Sequence, residues 1–181
     1  MINKFFAVIL CLFMFTGCSP TASINDYAQT QPALDFQQFF TGPMTAYGIV
    51  QNRFTGKVTR KFTAELDGTW QGESGTLDEV FRFDDGDVWN RQWRIQTGDN
   101  GQFTATADDV NGQAVGKTAG SVVHWTYDMN IPVDGETYSF AMDDWMYKVD
   151  EQTLINKTDM RKFGVTVAKM TIVIHKEGIG E

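Results

Sequence analysis

Hydrophobic and polar residues alternate along most of this chain, and short turn signals interrupt the alternation at regular intervals. From residue 44 onward no helical period persists, whereas β-branched and aromatic residues alternate with polar ones as they do in half-buried strands. The turn signals are Thr55-Gly56, Gly72-Glu73-Ser74-Gly75, Asp84-Asp85-Gly86, Gly98-Asp99-Asn100-Gly101, Asn111-Gly112, Gly120, Asp134-Gly135, Asp150-Glu151 and Phe163-Gly164. They predict about ten strands, paired as an antiparallel meander because no crossover helix separates them.

The pattern predicts one all-β domain, residues 34–181. An open meander of this size exposes two strand edges, and closure into an antiparallel up-and-down barrel removes them. A two-sheet sandwich is the alternative. Four apolar residues between Leu34 and Phe40 lie near one helical face, and Thr41-Gly42-Pro43 follows them. We therefore expect a short N-terminal helix that covers one end of the barrel.

The N-terminus carries an unbroken apolar run, residues 5–15. It is too short to cross a bilayer but fits a secretory signal peptide. Small residues then precede Cys18, so residues 1–17 resemble a bacterial lipoprotein signal, which implies that Cys18 is lipidated. An ordinary signal peptide cut nearby is the alternative. Ser19 follows the cysteine, which favours a bacterial cell-envelope protein on the outer membrane, facing the periplasm.

Residues 18–33 are polar and include two prolines. Such a composition predicts a lipidated N-terminus followed by a flexible tether. The expected chain is therefore a signal peptide over residues 1–17, a tether over 18–33 and a single barrel, held on a membrane by its lipid anchor.

Four predicted strands carry a charge on an otherwise apolar face. Residues two apart share a face of a strand, and the inward stripes include Arg60, Glu79, Arg91 and Asp144. A buried unpaired charge is costly, so we expect these groups to pair with one another or with a ligand. Three interpretations stay open: a polar anchor for an amphiphile, a structural network that fixes strand register, or arginines at a barrel rim that reach water.

The same stripes carry bulky apolar side chains. The candidates for lining a cavity are Phe81, Trp93, Trp125, Tyr127 and Met142. Aromatic and methionine side chains suit irregular, lipid-like ligands, but they suit a filled core equally well.

Composition and charge exclude several classes of function. The net charge of -8 argues against a nucleic-acid partner and against a basic patch that grips anionic lipid head groups. Two cysteines cannot form a disulfide scaffold. His124 and His175 are the only histidines and lack further ligands at metal spacing, so we expect no metal. No nucleophile elbow, phosphate loop or dinucleotide fingerprint occurs, so we expect no cofactor and no enzyme.

Several short motifs carry a family resemblance. They are Phe40-Thr41-Gly42-Pro43, Arg60-Lys61-Phe62, Gly68-Thr69-Trp70, Gly75-Thr76-Leu77-Asp78-Glu79, Arg91-Gln92-Trp93, Pro132-Val133-Asp134-Gly135, Asp143-Asp144-Trp145-Met146-Tyr147, Leu154-Ile155-Asn156 and Lys162-Phe163-Gly164. Together they resemble an uncharacterised family of predicted bacterial lipoproteins, known as a domain of unknown function. The fold is similar to lipocalins and fatty-acid-binding proteins, the calycin-like barrels. That resemblance implies an apolar ligand and internal arginines that hold its acid group.

The leading prediction is a monomeric, membrane-tethered barrel that binds or carries a fatty acid or lipid. Its ligand-binding residues are Arg60, Glu79, Phe81, Arg91, Trp93, Trp125, Tyr127, Met142 and Asp144. The alternative is a structural or adaptor lipoprotein of the envelope, with a filled barrel and no ligand.

Overall fold

A computed structural model describes residues 22–133 and 135–177, which form a closed barrel of ten antiparallel strands. The strands are β1 (Gly42–Asn52), β2 (Val58–Gln71), β3 (Ser74–Phe83), β4 (Val88–Thr97), β5 (Gln102–Thr106), β6 (Val110–Ala119), β7 (Val122–Val133), β8 (Glu136–Lys148), β9 (Thr153–Lys162) and β10 (Val165–Lys176). Each strand pairs with its neighbours in sequence, and β10 closes the ring against β1. The predicted up-and-down barrel is confirmed.

The meander gives the barrel two ends. The loops β1–β2, β3–β4, β5–β6, β7–β8 and β9–β10 share one end, which we call the open end. At the other, plugged end lies a single-turn helix, α1 (Phe36–Phe39), whose N-cap Asp35 accepts a hydrogen bond from the Gln38 amide at 2.9 Å. Lys176 donates to the carbonyls of Gln38 and Phe39 at 2.6 and 3.0 Å. The predicted short helix is therefore present and covers one end.

Alternation along the strands forms one core inside the barrel. On β2, Phe62, Ala64 and Leu66 are buried while the residues between them are exposed. Phe39 and Phe40 extend the same core into the plugged end. Because the sheet has no free edge and encloses its own core, the barrel with its plug is a complete folding unit.

One predicted turn is displaced. Asn111-Gly112 lies within β6, where three residues between Asn111 and Val115 face a single residue of β7. The β5–β6 turn instead uses residues 107–109, closed by a hydrogen bond from the Val110 amide to the Ala107 carbonyl at 3.1 Å. Asn-Gly is a strong hairpin signal, but a glycine in the left-handed conformation can equally well form a β-bulge within a strand.

The predicted tether differs from the structure where the structure describes it. A 3-10 helix, Ile24–Tyr27, packs on β6 and β7, and Thr30 donates to or accepts from Ser121 at 2.8 Å. Tyr27 also contacts the ring of Trp145 at 5.9 Å. A few aromatic and hydroxyl groups are enough to dock a polar segment that composition alone assigns to a linker. The predicted signal peptide and Cys18 lie outside the described residues.

None of the helices in the described ranges is long and apolar enough to cross a membrane.

Candidate functional site

A cavity of about 420 Å³ occupies the barrel between α1 and the open end. Its walls are the inward stripes of the strands, which place apolar side chains on every side. They include Phe62, Phe81, Trp93, Trp125, Met142 and Ile172. Phe36 and Phe40 form the floor at the plugged end, whereas exposed lining residues such as Asp87 and Val133 lie at the open end. The cavity therefore opens to solvent away from the plug.

Arg91 is the cation inside this cavity. It faces Glu79 directly across the β3–β4 pair. Its Nε and Nη2 donate to Asp109 Oδ2 at 2.9 Å each, and its Nη1 lies 3.4 Å from Glu79 Oε2. The guanidinium also lies 5.4 Å from the ring centre of Phe81, a cation–π distance. Arg91 is thus held by one carboxylate at the mouth and one deeper in the barrel.

Glu79 is the deeper carboxylate of this pair. Only 10% of its side chain is exposed, and burial raises its pKa from 4.5 to about 7. The charge of Arg91 lowers the pKa of Glu79 but does not cancel the loss of hydration. Asp109, at 35% exposure, stays near water. Near neutral pH Glu79 therefore exchanges its proton beside a permanent cation.

A second polar group, formed by β7, β8 and β9, surrounds Asp144. The carboxyl is buried and accepts hydrogen bonds from Tyr127 Oη at 2.7 Å, from Thr158 Oγ1 and from Asn156 Nδ2 at 3.4 Å. Burial nevertheless raises the pKa of Asp144 above its ordinary value, and burial also raises the pKa of Tyr127. The β8–β9 pair lies across the ring from β3–β4, so the two carboxyls face each other through the cavity.

Arg60 departs from the predicted internal group of four charges. It lies at the mouth, where its Nη2 contacts Asp85 at 2.7 Å and Asp87 at 2.8 Å, and its guanidinium covers the ring of Phe83 at 3.8 Å. Two acidic residues of the β3–β4 loop reach it there. The interpretation of an arginine at the barrel rim describes Arg60, whereas Arg91 lies inside.

The other predicted lining residues do surround the cavity. Phe81, Trp93, Trp125, Tyr127 and Met142 all line it, together with Glu79, Arg91 and Asp144. The sequence prediction missed Asn156, Thr158 and Asp109. The first two share an inward stripe with Leu154 and Met160 on β9, a signal that period-two alternation could have revealed. Asp109 lies in the β5–β6 turn and carries no such pattern.

Three polar atoms of cavity-lining residues are buried without a hydrogen-bond partner among the described residues: Trp125 Nε1 and Asn156 Oδ1 inside the barrel, and Arg60 Nε at the mouth. Unpaired buried polar atoms are costly and uncommon, so a polar group of a ligand that reached them would be stabilised. In the same described ranges, no group of three or more His, Cys, Asp and Glu side chains is placed to hold a metal ion.

Comparison with solved structures returns proteins of the same fold. The S-type phycobiliprotein lyase CPES from Guillardia theta superposes with a TM-score of 0.58 at 5% sequence identity, over 80% of this chain and 92% of that one. At this identity the likeness shows the barrel fold alone. No curated protein matches the sequence. A family model described as a protein of unknown function, DUF3833, matches residues 12–176. That match confirms the resemblance drawn from the sequence motifs.

Proposed function

The chain belongs to the DUF3833 family, whose function is unknown, and we propose that its barrel binds an anionic amphiphile, a fatty acid or lipid, without acting as an enzyme. The observation that carries this proposal is a cavity of about 420 Å³ with apolar walls and a buried arginine. Ligand cavities of proteins typically hold about 300–1,000 Å³ and combine apolar walls with few polar groups. A filled barrel, the structural alternative, would leave no such space.

The apolar part of the ligand would occupy the space between the aromatic and methionine side chains. The rings of Trp93 and Trp125 contact each other at a tilt, 4.6 Å between ring centres, and Met142 is 2% exposed. These side chains offer large, polarisable surfaces to a hydrocarbon chain. Each methylene moved from water into such surroundings contributes about 0.8 kcal/mol.

The acid group of the ligand would bind Arg91. Asp109, about one third exposed, is the partner that a ligand carboxylate could replace, because water can solvate Asp109 once it turns away from Nε and Nη2. Bidentate pairing of guanidinium and carboxylate gives such a site both strength and direction.

Location on the outer membrane, facing the periplasm, is the second part of the proposal. It rests on the signal-like residues 1–17 and on Cys18, and a lipid anchor there would hold the barrel beside a source of ligand. The phycobiliprotein lyase shares only its fold with this chain, so the ligand class rests on the cavity and not on that protein.

The first test removes the positive charge of Arg91. We would prepare the chain from Ser19, which contains the complete folding unit, extract it with organic solvent and identify released molecules by mass spectrometry. A fluorescent fatty acid would then titrate the stripped protein. We expect R91M to bind the probe at least about tenfold more weakly, because one charge-assisted contact is worth roughly 1.5–3 kcal/mol. R94M is the matched control, since Arg94 lies on the same strand with 53% of its side chain exposed.

A second variant separates binding from stability. D109N removes the carboxylate that competes with the ligand for Arg91, so we expect it to bind the probe more tightly than the unchanged protein. A purely structural network predicts only a loss of stability in both R91M and D109N. Wild-type protein that yields no lipid and binds no probe would overturn the proposed function. If R91M does not fold, R91M/E79Q removes both buried charges and replaces it.

A further inference from the structure

Two neighbouring loops at the open end differ from the rest of the mouth. The β1–β2 loop and the β9–β10 turn are adjacent because β1 pairs with β10. The backbone amide of Arg53 donates to the carbonyl of Val167 at 3.0 Å and joins the β1–β2 loop to the start of β10, next to the β9–β10 turn. They form one continuous part of the rim.

This part of the rim is basic in an acidic protein. Arg53, Lys57 and Lys162 lie on the two hairpins, and residues 42–64 and 160–176 contain no Asp or Glu, although the whole chain has 23. Among the described residues, no carboxylate pairs with Arg53 or Lys57. The net charge of -8 argues against a basic patch. Cations are nevertheless concentrated in this part of the rim.

The same two loops expose aromatic side chains. Phe54 is 72% exposed and Phe163 is 94% exposed. Phe163 also has a φ of 50°, a left-handed conformation that is unfavourable for residues with a side chain and is usually given to Gly or Asn. The phenyl group gains no burial in exchange. Its ring lies 5.1 Å from Nζ of Lys162, which places a cation beside an exposed phenyl group.

Two other tips of the mouth have the opposite character. Asp84, Asp85 and Asp87 occupy the β3–β4 loop, and Asp108 and Asp109 occupy the β5–β6 turn. Arg60 neutralises part of the first group. The mouth is thus divided into an acidic side and a side that combines cations with protruding phenyl rings.

We propose that the basic aromatic rim, defined as Arg53, Phe54, Lys57, Lys162 and Phe163, docks the mouth of the barrel on an anionic lipid bilayer. Cations next to exposed aromatic rings are the combination that binds the interface of such a membrane: the rings enter the head-group region and the cations meet lipid phosphates. The acidic tips would lie away from the surface, so the barrel would be tilted. This proposal goes beyond the proposed function and does not depend on what the cavity holds.

The test is vesicle flotation with the chain from Ser19, which lacks any lipid anchor. Vesicles would contain phosphatidylcholine alone or an equimolar mixture with phosphatidylglycerol. We expect the protein to float with the mixed vesicles and not with phosphatidylcholine alone. Because attraction between exposed charges is screened by salt, raising the ionic strength should reduce the bound fraction.

Rim variants identify the surface. R53E/K57E should lower the partition coefficient by about tenfold or more, since each cation contributes severalfold near an anionic membrane. F54S/F163S should lower it by a similar factor through loss of the inserted rings. Matched controls on the outer wall are K157E and Y47S, an exposed cation on β9 and a 58% exposed aromatic on β1. Both controls should float like the unchanged protein.

Two results would overturn the proposal. The first is that anionic vesicles capture none of the protein, which would point to an acidic protein surface as the partner. The second is that both rim variants float as well as the controls. Probe binding in solution distinguishes this failure from that of the proposed function: R53E/K57E should still bind the fluorescent fatty acid, and R91M should still float.

Discussion

Glu79 and Arg91 form an ion pair that is complete only above neutral pH. Burial holds the pKa of Glu79 at about 7 although the guanidinium of Arg91 lies beside it. Below that pH the glutamic acid is neutral and the positive charge of Arg91 is less compensated. An anionic ligand would then meet a stronger attraction, so ligand binding and proton uptake should be linked.

We therefore expect the affinity for an anionic probe to rise as pH falls through about 7. Ionised Glu79 repels the anion, and protonation of Glu79 removes that repulsion. The affinity for the probe should therefore increase as the pH decreases. A sulfonate-headed fluorescent amphiphile is suitable because the sulfonate stays ionised on both sides of the pKa of Glu79, about 7. E79Q should flatten the profile. A wild-type profile that falls or stays level as pH decreases would contradict the linkage.

Single residues also show where sequence reasoning is limited. Alternation placed Arg60 and Arg91 on inward stripes, but period two defines a face and not a depth along the barrel. Arg91, on β4, is enclosed by the barrel. Arg60, on β2, instead reaches the acidic β3–β4 loop and water. Asp109 belongs to a turn, where no periodicity predicts which way a side chain points.

At the scale of elements, three hairpins share the same packing arrangement. An aromatic ring lies across a glycine directly opposite it on the next strand, in the pairs Gly48–Phe62, Gly75–Trp70 and Gly116–Phe103. A methyl group on any of these glycines would meet the ring. The missing side chain lets the ring lie flat along the wall of the barrel, as in the rescue of strand glycines by aromatic neighbours.

The pair Gly116–Phe103 also supports the plug, since Phe103 stacks on Phe36 at 4.4 Å between ring centres. We expect G116A to lower the free energy of unfolding by about 1–3 kcal/mol, the usual cost of overpacking a core. Urea unfolding would measure it. G98A is the control because its methyl group would meet only the Gln102 carbonyl, at 3.8 Å. Equal stabilities of the two variants would show that Phe103 moves without cost.

Most element boundaries could be predicted because Gly, Asp and Asn mark them chemically. Eight of the turn signals lie between strands, from Thr55-Gly56 to Phe163-Gly164. The exception, Asn111-Gly112, shows that a left-handed glycine indicates a local bend without stating whether the chain reverses there. Docking of residues 22–33 depends on tertiary contacts with Ser121 and Trp145, which composition does not contain.

Over the whole molecule, two predicted membrane attachments lie on different parts of the barrel. The N-terminal segment docks on β6 and β7, across the ring from the β1 and β10 strands that carry the rim. From Cys18 to Ala22 the extended chain spans at most about 14 Å, whereas from Cys18 to Leu34 it spans about 50 Å. A lipid on Cys18 and the basic aromatic rim therefore share one bilayer most easily when residues 22–33 leave the barrel wall.

Lipidation itself gives the last prediction. In bacteria that express the full chain and are fed labelled palmitate, we expect the label on the wild-type protein and its loss in C18S, because Cys18 is the only cysteine beyond the predicted signal peptide. Two or three acyl chains anchor a protein stably, whereas a rim of three cations binds reversibly. C18S should thus leave the membrane fraction on washing with high salt, while the wild-type protein stays. Label on C18S, or wild-type protein washed off by salt, would contradict the anchor and leave the rim as the sole membrane contact.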